Sequence, residues 1–149
     1  MNRRFLPTRH ILLVEDNPDD IFLMKMAFEE STVPNHLHVV EDGEEALNFL
    51  RKKNPYSQSP RPHLILLDLN LPRIKGLDVL EQIKLDNDLK DIPVMILTTS
   101  NYEDDILKSY QRYANSYITK PVDFDDFIKM IRFIEHFWFN VVTLPPHDY

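Results

Sequence analysis

Five side chains have the types and the spacing to do chemistry together. Asp68 ends the most apolar run of the chain, Leu64-Ile65-Leu66-Leu67, and opens the polar turn Leu69-Asn70-Leu71-Pro72. Glu15 and Asp16 end a second apolar run, His10-Ile11-Leu12-Leu13-Val14. Thr98 follows a third run, and Lys120, before Pro121, follows a fourth. Each residue alone has an ordinary reading: Asp16 as a helix cap, Asp68 as a turn residue, Thr98 as a strand-end hydroxyl, Lys120 as a surface lysine. Together, three acids and a lysine at separate strand ends point to metal-assisted chemistry on a phosphate. Crowded carboxylates repel unless a cation joins them. Mg²⁺ suits such a group, because it prefers oxygen ligands and binds through one or two carboxylates plus phosphate oxygens.

These residues meet only if the elements beneath them are ordered correctly. Short apolar runs at 11–15, 36–40, 64–67, 93–97 and 116–119 read as strands. Between them lie stretches of helical spacing: one after the Asp16-Asn17-Pro18 start, then 44–53, 76–85 and 103–113, with a last one from Phe124 to about Asn140. Asp or Asn before Pro18 can cap the first helix, and Asp123 the last. Strands alternating with helices imply right-handed crossovers and a parallel sheet covered on both faces. The run-on apolar character of the first, third and fourth strands fits that burial. The expected architecture is α/β, five βα units with strand order 2-1-3-4-5. In that order the strands ending in Glu15 and Asp68 are neighbours, and ligands of open α/β sheets bind at this edge.

Composition narrows the function classes. The 149 residues predict one domain, 1–149, with a core over about 9–140 and a tail over 141–149. There is no cysteine, so thiol chemistry and disulfides are excluded. No run approaches the roughly 18 apolar residues of a membrane span, and no signal peptide is read; a cytoplasmic location is expected. The net charge of −7 argues against direct DNA binding. Glycine occurs only at 43 and 76, which rules out glycine-rich phosphate loops.

The set Glu15-Asp16, Asp68, Thr98 and Lys120-Pro121 resembles the receiver domain of two-component response regulators, over about residues 9–140. The resemblance implies a flavodoxin-like fold and a signalling phosphoacceptor rather than an enzyme. Asp68 would take a phosphoryl group from a histidine kinase. Asp16, Asp68 and the backbone carbonyl of Asn70 would hold Mg²⁺, with Glu15 helping through water. Thr98 and Lys120 would bind phosphoryl oxygens, and Tyr117 would be the aromatic switch residue. The words ILLVEDNPDD (11–20), LLDLNLPRIKGLDVL (66–80), ILTTSN (96–101) and ANSYITKPV (114–122) are similar to small regulators that pair with cyanobacterial phytochromes. That implies a phytochrome-type kinase as partner. One departure is Tyr113, where receivers usually carry glycine; it suggests a differently closed helix end.

The last helix carries more apolar residues than one buried stripe needs. Phe124, Phe127, Ile131, Phe133, Phe137 and Trp138 suggest a homodimer face formed with the fourth helix and fifth strand, or cover by the tail. Two other functions compete. A haloacid dehalogenase-type phosphatase needs a second acid two residues after the nucleophile, and this chain has Asn70. A receiver-like interaction module that never carries phosphate would have lost Asp68, the metal acids or Lys120.

Overall fold

The structure, a computed structural model, describes residues 7–147. Strands and helices alternate as expected: β1 (Arg9–Val14), α1 (Pro18–Glu29), β2 (Asn35–Val40), α2 (Gly43–Leu50), β3 (Leu64–Leu67), α3 (Gly76–Leu85), β4 (Val94–Thr98), α4 (Glu103–Gln111), β5 (Ser116–Thr119) and α5 (Phe124–His136). All neighbouring strands are parallel, in the order β2-β1-β3-β4-β5. No helix among the described residues is long and apolar enough to cross a membrane.

The period of two in each strand sorts its side chains into two cores. Leu12, Val14, Ile65, Leu67, Val94 and Ile96 face one side, where Leu47 of α2 and Leu80 of α3 close the layer. Ile11, Leu13, Leu64, Leu66, Met95 and Leu97 face the other, against Met24 and Phe28 of α1 and Phe127 and Ile131 of α5. The three inner strands are therefore apolar at almost every position, while β2 and β5, at the edges, are only half-buried.

Several boundaries differ from the sequence expectation. Helix α2 stops at Leu50 rather than 53, because Lys52 turns left-handed at φ 55°. Helix α5 keeps its α geometry only to His136, then widens into a π-helical turn over Phe137–Val141. There Phe139 lies 5.9 Å from the Phe28 ring. Val142 and Leu144 pack on the same core, so the tail does fold back as far as it is described; Asp148 and Tyr149 lie outside the described residues.

The expected dimer face needs correction. Phe127, Ile131 and Trp138 are 4%, 1% and 8% exposed, and belong to this chain's own core. Their helical spacing puts all three on the stripe that meets the sheet. Phe124, Phe133 and Phe137 do remain exposed.

The end of α4 also differs from expectation. Tyr113 sits at φ 67°, its N–H donates to the Tyr110 carbonyl (3.0 Å), and the Ala114 N–H donates to the Ser109 carbonyl (3.0 Å). This is the usual left-handed helix closure with a tyrosine where glycine fits best. The non-glycine residue adopts that conformation at a cost of roughly 1–2 kcal/mol. Tyr113→Gly, at an exposed site, should therefore raise stability by about 1 kcal/mol in urea unfolding; an equal or lower stability would show that no strain is stored there.

Candidate functional site

The parallel ladders extend one residue past the strands and fix the starting point of each site residue. The Glu15 N–H donates to the Val40 carbonyl (3.0 Å), the Asp68 N–H to the Val14 carbonyl (3.1 Å), and the Lys120 N–H to the Thr98 carbonyl (2.7 Å). The loop after Asp68 is clamped by the chain's two glycines. A Cβ on Gly76 would lie 2.3 Å from the Asp68 carbonyl oxygen, and one on Gly43 2.2 Å from that of Ile74. Only a bare Cα lets α2 and α3 begin so close to this loop. Helix α1 is capped by Asn17, whose Oδ1 accepts from the Asp19 and Asp20 N–H groups at 2.9 and 3.1 Å. Asn17 thus takes the capping role, and the Asp16 carboxylate is not used for it.

Glu15, Asp68, Thr98 and Lys120 are all buried, while Asp16 and Asn70 are exposed at the mouth. Carboxylate oxygens of Glu15, Asp16 and Asp68 lie within 4.8 Å of one another. Lys120 Nζ reaches Asp68 Oδ2 at 3.2 Å and Asp20 Oδ2 at 2.8 Å, and it also donates to Glu15 Oε1. The Asn70 N–H donates to Asp68 Oδ1 at 3.1 Å, which turns that carboxylate. An all-oxygen donor set, open to water at Asp16, fits a hard divalent cation. The expected constellation is thus brought together.

Electrostatics separates the two buried acids. Burial, then the neighbouring Asp68 charge, raises the Glu15 pKa to about 7 against the opposing pull of Lys120. Burial pushes Asp68 in the same direction. The Lys120 charge and hydrogen bonds from Thr98, Glu15 and Asn70 outweigh it and hold Asp68 below its usual value. Burial disfavours the Lys120 ammonium, yet hydrogen bonds to Asp20 and Glu15 and the nearby acids raise its pKa overall. Of the two buried acids, Asp68 is therefore the one whose ionised form is favoured.

Two parts of the site were not foreseen. Asp20 was legible only as an acid in the first turn of α1, yet it closes the cage around Lys120. Around Tyr117, the hydroxyl donates to the Ser100 carbonyl at 2.8 Å, and Ser100 Oγ donates to Asp105 Oδ2 at 2.6 Å. Tyr117 is half-buried against the core, so β5 is tied to the loop that follows Thr98.

Known proteins resemble this chain in sequence and in fold. Residues 11–132 match the family model described as response regulator receiver domain. The chain is 48% identical over 139 residues to the response regulator Rcp1 of Synechocystis sp., covering 93% of this chain and 95% of that one. The Mn²⁺-bound crystal structure of Rcp1 superposes with a TM-score of 0.90 at 47% identity, over 93% of this chain and 99% of that one. The phosphorylated cyanobacterial phytochrome response regulator RcpA superposes at 0.91 with 46% identity, over 94% of this chain and all of that one (100%). On sequence, fold and the placement of its acids and lysine, the chain belongs to the response regulator receiver domain family.

Proposed function

We propose that this chain is a receiver that accepts a phosphoryl group from a sensor histidine kinase onto Asp68 and signals through the resulting change of shape. The observation that carries the reading is Lys120 Nζ, 3.2 Å from an ionised Asp68 and beside three converging carboxylates. An Asp68 oxygen attacks the phosphorus. The P–N bond to the donor imidazole breaks, and its electron pair returns to the ring nitrogen. The product is an acyl phosphate on Asp68. Asp16, Asp68 and the Asn70 backbone carbonyl would hold Mg²⁺, with Glu15 assisting, and the ion would supply charge neutralisation and orientation. Lys120 exchanges its contact with Asp68 for a phosphoryl oxygen, and the Thr98 hydroxyl donates to another.

The new phosphate adds about −1.5 to −2 charges to the sheet edge. Thr98 moves toward it, and Tyr117 follows through the Ser100 carbonyl that it now holds. Water attacks the acyl phosphate slowly, because the Asn70 amide, two residues past Asp68, cannot act as a general base to take its proton; the P–O bond to Asp68 then breaks and inorganic phosphate leaves the restored carboxylate. The protein thus stores a signal and does not turn over a substrate. Likeness to Rcp1 and RcpA over nearly the whole chain supports a phytochrome-type kinase as the donor.

A homodimer through α4, β5 and α5 completes the reading. Leu107 and Tyr110 on α4 and Phe124, Phe133 and Phe137 on α5 are exposed. The Phe133 and Phe137 rings stack 5.9 Å apart. Arg132 reaches Glu30 of α1 on the other flank of the helix, which leaves the phenylalanine flank outward. Exposed apolar area of this kind favours a partner.

Three measurements test these statements. Incubation with Mg²⁺ and acetyl phosphate should add one phosphate by intact mass, and Asp68→Asn should abolish the gain; an unmodified wild type would leave only the interaction-module reading. A phosphorylated phytochrome kinase should label the chain faster than an unrelated kinase does, and equal rates would remove the phytochrome assignment. In sedimentation velocity the chain should form a dimer that Phe133→Asp dissociates. A monomer at every concentration, phosphorylated or not, would refute the dimer.

A further inference from the structure

A cluster of three histidines lies at the opposite end of the sheet. His10 is the register partner of His36 across β1 and β2, and His38 follows two residues later on β2. In a parallel pair such residues project from the same face. It is the face of Leu12 and Val40, continued to the amino ends of the strands. His10 and Glu15 are five residues apart along β1, roughly 16 Å at the strand rise. The cluster is therefore separate from the Asp68 site.

The three rings converge. His10 Nδ1 lies 3.0 Å from His38 Nε2, the His36 and His38 rings stack at 4.0 Å, and one ring nitrogen from each residue falls within 4.8 Å of the others. Two nitrogens on a tetrahedral zinc ion, with Zn–N near 2.05 Å, stand about 3.3 Å apart. The His10–His38 pair, now joined by a hydrogen bond whose proton an ion would displace, is within a few tenths of an ångström of that value, and the His36 nitrogen lies within 4.8 Å of both. On the far side of His10, the His10 and His63 backbones and the His63 ring are tied together. The His10 N–H donates to His63 Nδ1 (2.9 Å), the His63 N–H donates to the His10 carbonyl (2.7 Å), and the rings lie almost parallel. This fixes the backbone that carries the first donor.

His10 is held below its usual pKa by burial and the His36 charge. Burial, then His36 and His10, lowers His38 to about 4. His36 is exposed, which gives an ion a path in and leaves a fourth position for water.

We infer that His10, His36 and His38 form a site for one imidazole-preferring divalent ion of the zinc class, clamping edge strand β2 to β1. Three nitrogen donors favour zinc, copper or nickel over the hard cations of the acidic site.

The test uses the tag-free full chain in excess Mg²⁺, which occupies oxygen sites. Zn²⁺ titrated by calorimetry should bind at one equivalent and raise Tm. Co²⁺ in its place should give the intense visible absorption of a four-coordinate nitrogen site. His36→Gln changes an exposed residue and should keep the fold by circular dichroism, yet weaken Zn²⁺ by more than about tenfold. His38→Gln should do the same, while Asp68→Asn should bind Zn²⁺ as the wild type does. Absence of Zn²⁺ binding by the wild type, unchanged affinity in His36→Gln, or loss of binding in Asp68→Asn would each overturn the inference.

Discussion

Two buried carboxylates beside one ammonium set the terms for the rest of the molecule. Glu15 and Asp68 stand at neighbouring strand ends, out of water, and Lys120 holds them together. Taking one partner from a buried ion pair costs on the order of 3–5 kcal/mol, because the remaining charge stays desolvated. The arrangement is tolerable only because Lys120 is also anchored by Asp20 from α1. Sheet order, the cap of α1 and the two tight glycines can all be understood as conditions for that cage. Strand β3 must lie between β1 and β4 for Asp68 to meet both Glu15 and Thr98. Asn17 must cap α1 so that Asp16 is left at the mouth.

The cage is held together by charge rather than by apolar fit, which makes it responsive. A divalent cation among the acids reduces the repulsion that raises Glu15. In the proposed function a phosphoryl group on Asp68 would move negative charge outward and draw Lys120 with it. The same lysine that stabilises the resting protein would then accept the incoming anion. From Thr98 the path outward is short: Thr98 Oγ1 accepts from the Ser100 N–H, and the Ser100 carbonyl accepts from the hydroxyl of Tyr117 on β5. An electrostatic event at the sheet edge therefore has a direct route to an apolar surface.

Much of this was legible in the sequence, because the inner strands and the site obey local rules. Runs such as 64–67 are apolar throughout since both faces are covered, and each ends in a charged or hydroxyl residue that the turn presents. What was not legible depended on choices that a one-dimensional pattern leaves open. Helix α5 has two apolar stripes, and periodicity cannot say which one meets the sheet; Phe127, Ile131 and Trp138 proved to be core, while Phe133 stayed outside. Asp20 looked like any acid at a helix start, since its partner lies a hundred residues away. Tyr113 was read as a changed helix end, but tertiary structure imposed the left-handed closure on a residue that disfavours it.

The account turns on Asp68 being the ionised nucleophile, with Lys120 and Thr98 as the ligands of what it carries. A crystal structure grown with Mg²⁺ and beryllium fluoride tests this most directly. The account predicts a trifluoroberyllate on an Asp68 oxygen, with fluorines contacting Lys120 Nζ and the Thr98 hydroxyl. It also predicts Mg²⁺ on Asp16, Asp68 and the Asn70 carbonyl. An adduct on another residue, or one that leaves Lys120 paired to Glu15 and Asp68 as it is now, would contradict it.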